Sequence, residues 1–168
     1  MLNLSEFVLL EVVIANFVMM GQTLLITGAT GLVGKALAKH CLSKGYVVHY
    51  LTTHKSKILH QINHKGFYWN PEDKTIDLAC FEGVEVIINL AGASIAQRWN
   101  NAAKTSILSS RTEALSLLYS SIETHKFPVK QIISASAIGV YPDSKTRYYD
   151  EKFQGTDSSF LRTVVKSW

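Results

Sequence analysis

The run Gly28-Ala29-Thr30-Gly31-Leu32-Val33-Gly34 places a glycine at every third position. Glycines spaced this way suit a backbone that receives a phosphate. Gly28 permits a tight turn, Gly31 presents no Cβ to an approaching pyrophosphate, and Gly34 lets a following helix pack closely on a sheet. A helix N-terminus then turns its N–H groups and positive dipole end toward the negative charge. Spacing alone is weak evidence, and the context carries the weight. Gln22–Thr27 before the turn is a short apolar run of strand type, and Leu32–Lys44 after it reads as a helix, with Val33, Leu37 and Cys41 four apart. A tight turn without ligand is the plainer alternative, and the flanking strand and helix weigh against it. The candidate dinucleotide contacts here are Gly28, Thr30, Gly31, Leu32, Val33 and Gly34.

The end of the second strand bears on which dinucleotide would bind. An NAD ribose is held there by an Asp or Glu. This chain reads Leu51-Thr52-Thr53-His54-Lys55-Ser56-Lys57, with hydroxyls and cations but no carboxylate. Thr52 and Thr53 are therefore candidate contacts, and NADP(H) is favoured over NAD(H). A merely solvated loop at His54, Lys55 and Lys57 competes with that reading. His60 and His64 stand four apart and could ligate a metal from a helix, but no third ligand is near and no metal is expected. Arg98, Lys104 and Arg111 could hold phosphates or line a wet helix. Trp69 and Trp99 are expected to pack rather than to stack on a ligand.

The elements that must position these residues alternate between strand and helix. Tyr46–Leu51 is a second strand and completes a β-α-β unit with a right-handed crossover. His54–Gly66 reads as a loop or short helix, and Phe67–Trp69 as a brief third strand cut off by Pro71. Thr75–Phe81 reads as a helical turn and Val84–Leu90 as a strongly apolar strand. Asn100–His125 is a long helix with Ile107, Ala114, Leu118 and Ile122 on one stripe. Lys130–Ala135 is a further strand, and Ser159–Trp168 begins another helix. The pattern predicts an α/β doubly wound parallel sheet of Rossmann type, whose ligand crevice lies at the carboxyl ends of the strands.

The 168 residues suit one domain, and 47% hydrophobic with 18% charged residues is a globular balance. The net charge of +4 is spread along the chain, so nucleic-acid binding is not expected. Cys41 and Cys80 form no C-x-x-C pair and read as reduced thiols of a cytoplasmic protein. Residues 1–20 form an apolar extension with Glu6 and Glu11 and no Lys or Arg. It lacks the positive region of a secretory signal, and two carboxylates are costly in a membrane span, so no membrane partner is expected. Met19 or Met20 could be the true start, and the domain proper is expected over 21–168.

On these motifs the chain resembles the extended short-chain dehydrogenase/reductase superfamily, and within it the nucleoside-diphosphate-sugar epimerase-like group. The resemblance rests on Thr27 with the three glycines and on Ile87-Ile88-Asn89-Leu90-Ala91-Gly92. It rests also on Arg98-Trp99, Lys104, Ile107, Ser110 and Arg111, on Ser134-Ala135-Ser136-Ala137-Ile138-Gly139, and on Phe160-Leu161 with Trp168. It covers Gly21–Trp168 and implies that Leu90, Ala91 and Gly92 shape the adenine and ribose side of the site. It also tips Arg98 and Arg111 toward function. The chain departs from the group in lacking Arg near Thr53, Tyr at Val140 and Gly at Pro142. Family members run further into a C-terminal substrate region that this chain lacks, so it looks truncated. An exposed apolar face is expected where that region would pack, and it could drive homodimerisation.

The superfamily transfers hydride with a Tyr whose pKa a Lys four residues on lowers, while a Ser orients the substrate oxygen. Ser136 fits the Ser role, although a loop hydroxyl would look the same. The extended-family positions for Tyr and Lys fall near Phe160 and Val164, which cannot do this chemistry. Tyr148 and Lys152 spell Y-x-x-x-K locally. Gly155 and Asp157-Ser158-Ser159 would break a helix soon after, so coincidence in a polar loop is the favoured reading of that pair. Three readings remain open: an oxidoreductase or epimerase acting on a sugar nucleotide or other small carbonyl or hydroxyl compound, a dinucleotide-binding module without turnover, and a non-functional remnant.

Overall fold

A computed structural model describes residues 21–153, Gly155 and 159–168. The expected extension over 1–20 lies outside the described residues. Strand β1 (Thr23–Thr27) leads through the glycine turn into helix α1 (Leu32–Ser43) and back into strand β2 (Val47–Thr52). A hairpin of β3 (His60–Gln61) and β4 (His64–Asn70) follows, then β5 (Thr75–Ile76) and β6 (Val84–Asn89). Helix α2 (Asn101–His125), strand β7 (Gln131–Ser134) and helix α3 (Phe160–Ser167) complete the described chain.

The strands lie in the order β3-β4-β2-β1-β6-β7, with β5 on β4. The pairs β4-β2, β2-β1, β1-β6 and β6-β7 are parallel, whereas β3 and β5 meet β4 antiparallel. Strand order reverses beside β1, because β2 lies on one side of it and β6 on the other. That reversal opens a crevice at the carboxyl ends.

Both faces of the sheet are buried, which explains the continuous apolar runs. Alternation along each strand divides the residues between two cores. Leu24, Ile26, Val48, Val86 and Ile88 pack with Leu37, Ala38 and Cys41 of α1. Leu25, Leu51, Ile87 and Trp69 pack with Ala114, Leu117 and Leu118 of α2. Asn100 caps α2 by accepting a hydrogen bond from the Ala103 N–H, and Lys126 ends it in the left-handed region at φ 52°.

Two local readings are corrected. The third strand starts at His64 rather than Phe67, because the segment read as loop or short helix turns back as a hairpin. His60 pairs with Lys65 across that hairpin, so His60 and His64 do not share a helix face. Within Thr75–Phe81 the first two residues are strand β5, and only Leu78–Phe81 form a 3-10 turn. Cys41 and Cys80 are buried and unbridged, and burial raises both thiols, Cys41 to about 11. Trp69 is buried, and Trp99 meets Phe160 edge-on with ring centroids 5.5 Å apart.

Candidate functional site

Parallel register brings Thr27, Asn89 and Ser134 into one row at the carboxyl ends of β1, β6 and β7. Thr27 and Asn89 are completely buried. The Thr27 hydroxyl donates to Asn89 Oδ1 at 2.7 Å, and the Asn89 Nδ2 group donates to Ser134 Oγ at 3.1 Å. Thr27 Oγ1 also accepts from the Leu90 N–H at 3.1 Å and the Ala91 N–H at 3.0 Å. A buried hydroxyl thus satisfies two N–H groups where the chain leaves the sheet, which such groups require away from water. The row pins the segment 90–93 against the glycine turn.

Gly28 adopts φ 68°, and a Cβ there would lie 2.8 Å from the Leu90 carbonyl oxygen. The turn and the pinned segment are therefore fitted to each other. A Cβ at Gly34 would run into the Gly28 carbonyl, so the start of α1 sits directly on the turn. The first turn of α1 has no side-chain cap and no acidic residue. Its N–H groups and dipole end are left for an anion. Leu32 and Val33 stand exposed at this mouth.

A groove of about 430 Å³ collects Gly28, Thr30, Thr52, Thr53, Ala91 and Gly92 from the expected contacts. His54 and Lys57 line it as well, and so do Trp69, Ser110 and Glu113, which the sequence reading did not place there. The buried Thr52 hydroxyl accepts from the His54 N–H at 3.2 Å and shapes the loop that carries these cations. Lys55 turns away, its Nζ lying 5.0 Å from the centre of the Tyr68 ring.

A second cavity of about 810 Å³ takes its lining from Leu90 and Ile95, whereas Ala91, Gly92 and Ala93 line the first. It collects Leu90, Arg111, Ser136, Tyr148, Val164 and Trp168. Ser136 and Tyr148 both reach it, and Tyr148 is fully exposed. Lys152 lies in an exposed turn and does not line it. Tyr148 and Lys152 are not on a helix, so the four-residue spacing does not place them on one face. Phe160 and Val164 lie in α3, where Val164 is buried at 3% exposure and Phe160 meets Trp99 and the Lys104 ammonium. Arg98 is exposed. Arg111, by contrast, is half-buried behind Gly92, and burial lowers its pKa from the usual guanidinium value. Only tertiary packing distinguishes these two arginines.

Residues 24–160 match the model of the NAD dependent epimerase/dehydratase family. An epimerase family protein of Staphylococcus saprophyticus is 31% identical over 148 residues, which cover 86% of this chain and 47% of that protein. A human epimerase family protein solved with NADPH superposes with TM-score 0.67 at 24% identity, over 88% of this chain and 47% of that one. A nucleoside-diphosphate sugar epimerase from Corynebacterium glutamicum does so with TM-score 0.66 at 26% identity, over 88% of this chain and 29% of that one. The chain spans about half the length of the curated relatives it matches. No helix among the described residues is long and apolar enough to cross a membrane.

Proposed function

This chain belongs to the NAD-dependent epimerase/dehydratase family, and on that premise we propose that it binds NADP(H) in the groove between the glycine turn and the end of β2. The observation that carries the reading is the groove's lining. Gly28 and Thr30 meet Thr52, Thr53, His54 and Lys57 there, and although Glu72 and Glu113 also line the groove, the end of β2 itself carries no carboxylate. Residues 28–34 would receive the pyrophosphate on backbone N–H groups. Thr53, His54 and Lys57 would take the 2′-phosphate, and Leu90, Ala91 and Gly92 would bound the adenosine. The human relative solved with NADPH supports the same cofactor. Bound nicotinamide supplies hydride transfer, and Ser136 would orient a substrate oxygen at the neighbouring cavity. The whole protein is then an oxidoreductase or epimerase acting on a sugar nucleotide or other small carbonyl or hydroxyl compound. A cytoplasmic setting belongs to the same reading and suits the unbridged Cys41 and Cys80.

A second reading, binding without turnover by this chain, draws support from Phe160 and Val164. By the resemblance, the superfamily's acid-base pair would fall near these two residues, and Tyr148 and Lys152 share no helix that could replace it. The deciding experiment titrates the purified chain with NADPH and NADH and follows nucleotide fluorescence and thermal unfolding. A ligand that binds only the native state raises the midpoint saturably. NADPH should bind more tightly than NADH, and Gly31→Asp should remove the signal. Should neither nucleotide bind protein that circular dichroism shows to be folded, the dinucleotide reading fails.

A further inference from the structure

Arg111 sits in α2 beneath segment 90–93. Its Nη1 donates to the Ala93 carbonyl at 3.2 Å and to the Ile107 carbonyl at 2.8 Å. Those two bonds use both hydrogens of that nitrogen. Gly92 covers the guanidinium closely, since a Cβ at Gly92 would stand 2.8 Å from Cζ, 3.0 Å from Nη2 and 3.1 Å from Nε. The Trp168 ring lies on the group as well, its centre 5.4 Å from Cζ. The group is thereby held in one orientation. Its Nε–Nη2 edge makes no hydrogen bond to the described residues, and no carboxylate among them pairs with it.

That open edge belongs to a residue lining the cavity of about 810 Å³ that also contains Ser136. The charged lining residues are Arg111, Arg147 and Asp143, two guanidinium groups against one carboxylate. A half-buried cation without a counter-ion is costly, and an incoming anion offsets that cost. Two parallel N–H groups on a fixed guanidinium edge match two oxygens of a carboxylate or a phosphate. Arg111 does not line the dinucleotide groove, whose wall here is made by Ala91, Gly92 and Ala93. We infer that Arg111, assisted by Arg147, is an anion-binding site that holds the carboxylate or phosphate group of a small-molecule substrate beside Ser136. The anion site goes beyond the dinucleotide reading, and only its assignment to a substrate rests on that reading.

The test uses this chain with ¹⁵N-labelled arginine side chains. Its Arg111 Nε–Hε signal is assigned by correlation to its own backbone, so that no variant is needed. Sodium acetate and inorganic phosphate are titrated separately at constant ionic strength, with and without saturating NADPH, against sodium chloride alone. A saturable shift of the Arg111 signal by acetate or by phosphate, present with NADPH bound and absent with chloride, is the expected result. The more effective of the two anions tells a carboxylate substrate from a phosphorylated one. Arg111→Lys keeps the charge but loses the paired edge, and should weaken that anion about tenfold while leaving NADPH affinity within about twofold. An Arg111 signal that neither anion moves, or that chloride moves equally, overturns the site. Loss of the anion shift on NADPH saturation also overturns it, by giving the guanidinium to the cofactor. The nucleotide-free arm keeps a failure of NADPH binding separate from a failure of the anion site.

Discussion

Around Thr27 the chain is held by hydrogen bonds that cross three strands, with Thr27 and Asn89 wholly buried and Ser134 exposed at the end of the row. Around Ser136 the chain is held by aromatic packing and by one arginine. Tyr141 and Tyr149 stack at 5.8 Å, Phe153 closes on Tyr149 at 4.6 Å, and Arg162 reaches the Val140 carbonyl at 2.7 Å and the Gly155 carbonyl. The first region fixes backbone atoms, which is what a phosphate and a ribose read. The second leaves side chains such as Tyr148 in solvent.

Breaking the first region should have the largest effect. Asn89→Ala removes the link between Thr27 and Ser134, leaves the buried Thr27 hydroxyl without its acceptor and opens a cavity in the core. It is expected to cost about 3 kcal/mol in urea unfolding, since each orphaned buried group costs roughly 1–3 kcal/mol. A loss below about 0.5 kcal/mol would mean that the row is not what anchors segment 90–93. Thr27→Val keeps the shape but strands two N–H groups, and about 2 kcal/mol should be lost by the same measurement.

Lys57→Ala sharpens the comparison within the groove. It should weaken NADPH about tenfold, or about 1.4 kcal/mol, while NADH is unaffected in parallel titrations. An equal loss for both nucleotides would remove Lys57 from the 2′-phosphate.

A pH effect belongs to the sheet itself. His49 is 4% exposed, its Nδ1 donates to the Cys80 carbonyl at 2.9 Å, and burial lowers its pKa below 6.5. The unfolded chain therefore binds the proton more readily than the folded one. Stability is fully present above pH of about 6.5 and declines as the pH falls through 6.5 toward the depressed folded value. Thermal midpoints between pH 7.5 and 5.5 should show this decline, and His49→Gln should flatten it. The smallest effect is expected at the exposed loop. Tyr148→Phe should change stability by less than about 0.5 kcal/mol in thermal unfolding, and a larger loss would show that the phenol is held by more than the geometry indicates.

Much of the region around the glycine turn was legible in the residues, because each feature there is local. Gly28 marks its own turn, the run before it marks a strand, and the absence of a carboxylate after Leu51 needs no partner to be read. The hairpin at His60–Asn70 was not legible. Its residues show neither a period of two nor one of 3.6, and the pairing of His60 with Lys65 and of β4 with β2 decides it. The same holds for Tyr148 and Lys152, whose spacing is a helical signal only if a helix forms.

The sequence by itself determined the β-α-β unit with its glycine turn and the long helix α2, since strand and helix periodicities and glycine placement are properties of neighbouring residues. Only the tertiary structure decided which hydroxyl is satisfied by which strand, and that Gly92 faces a guanidinium as well as the groove. It also separated Arg111, half-buried and oriented, from Arg98, which stays in water. Those outcomes depend on groups far apart in the chain, and burial, not residue type, sets what a charge must find as a partner.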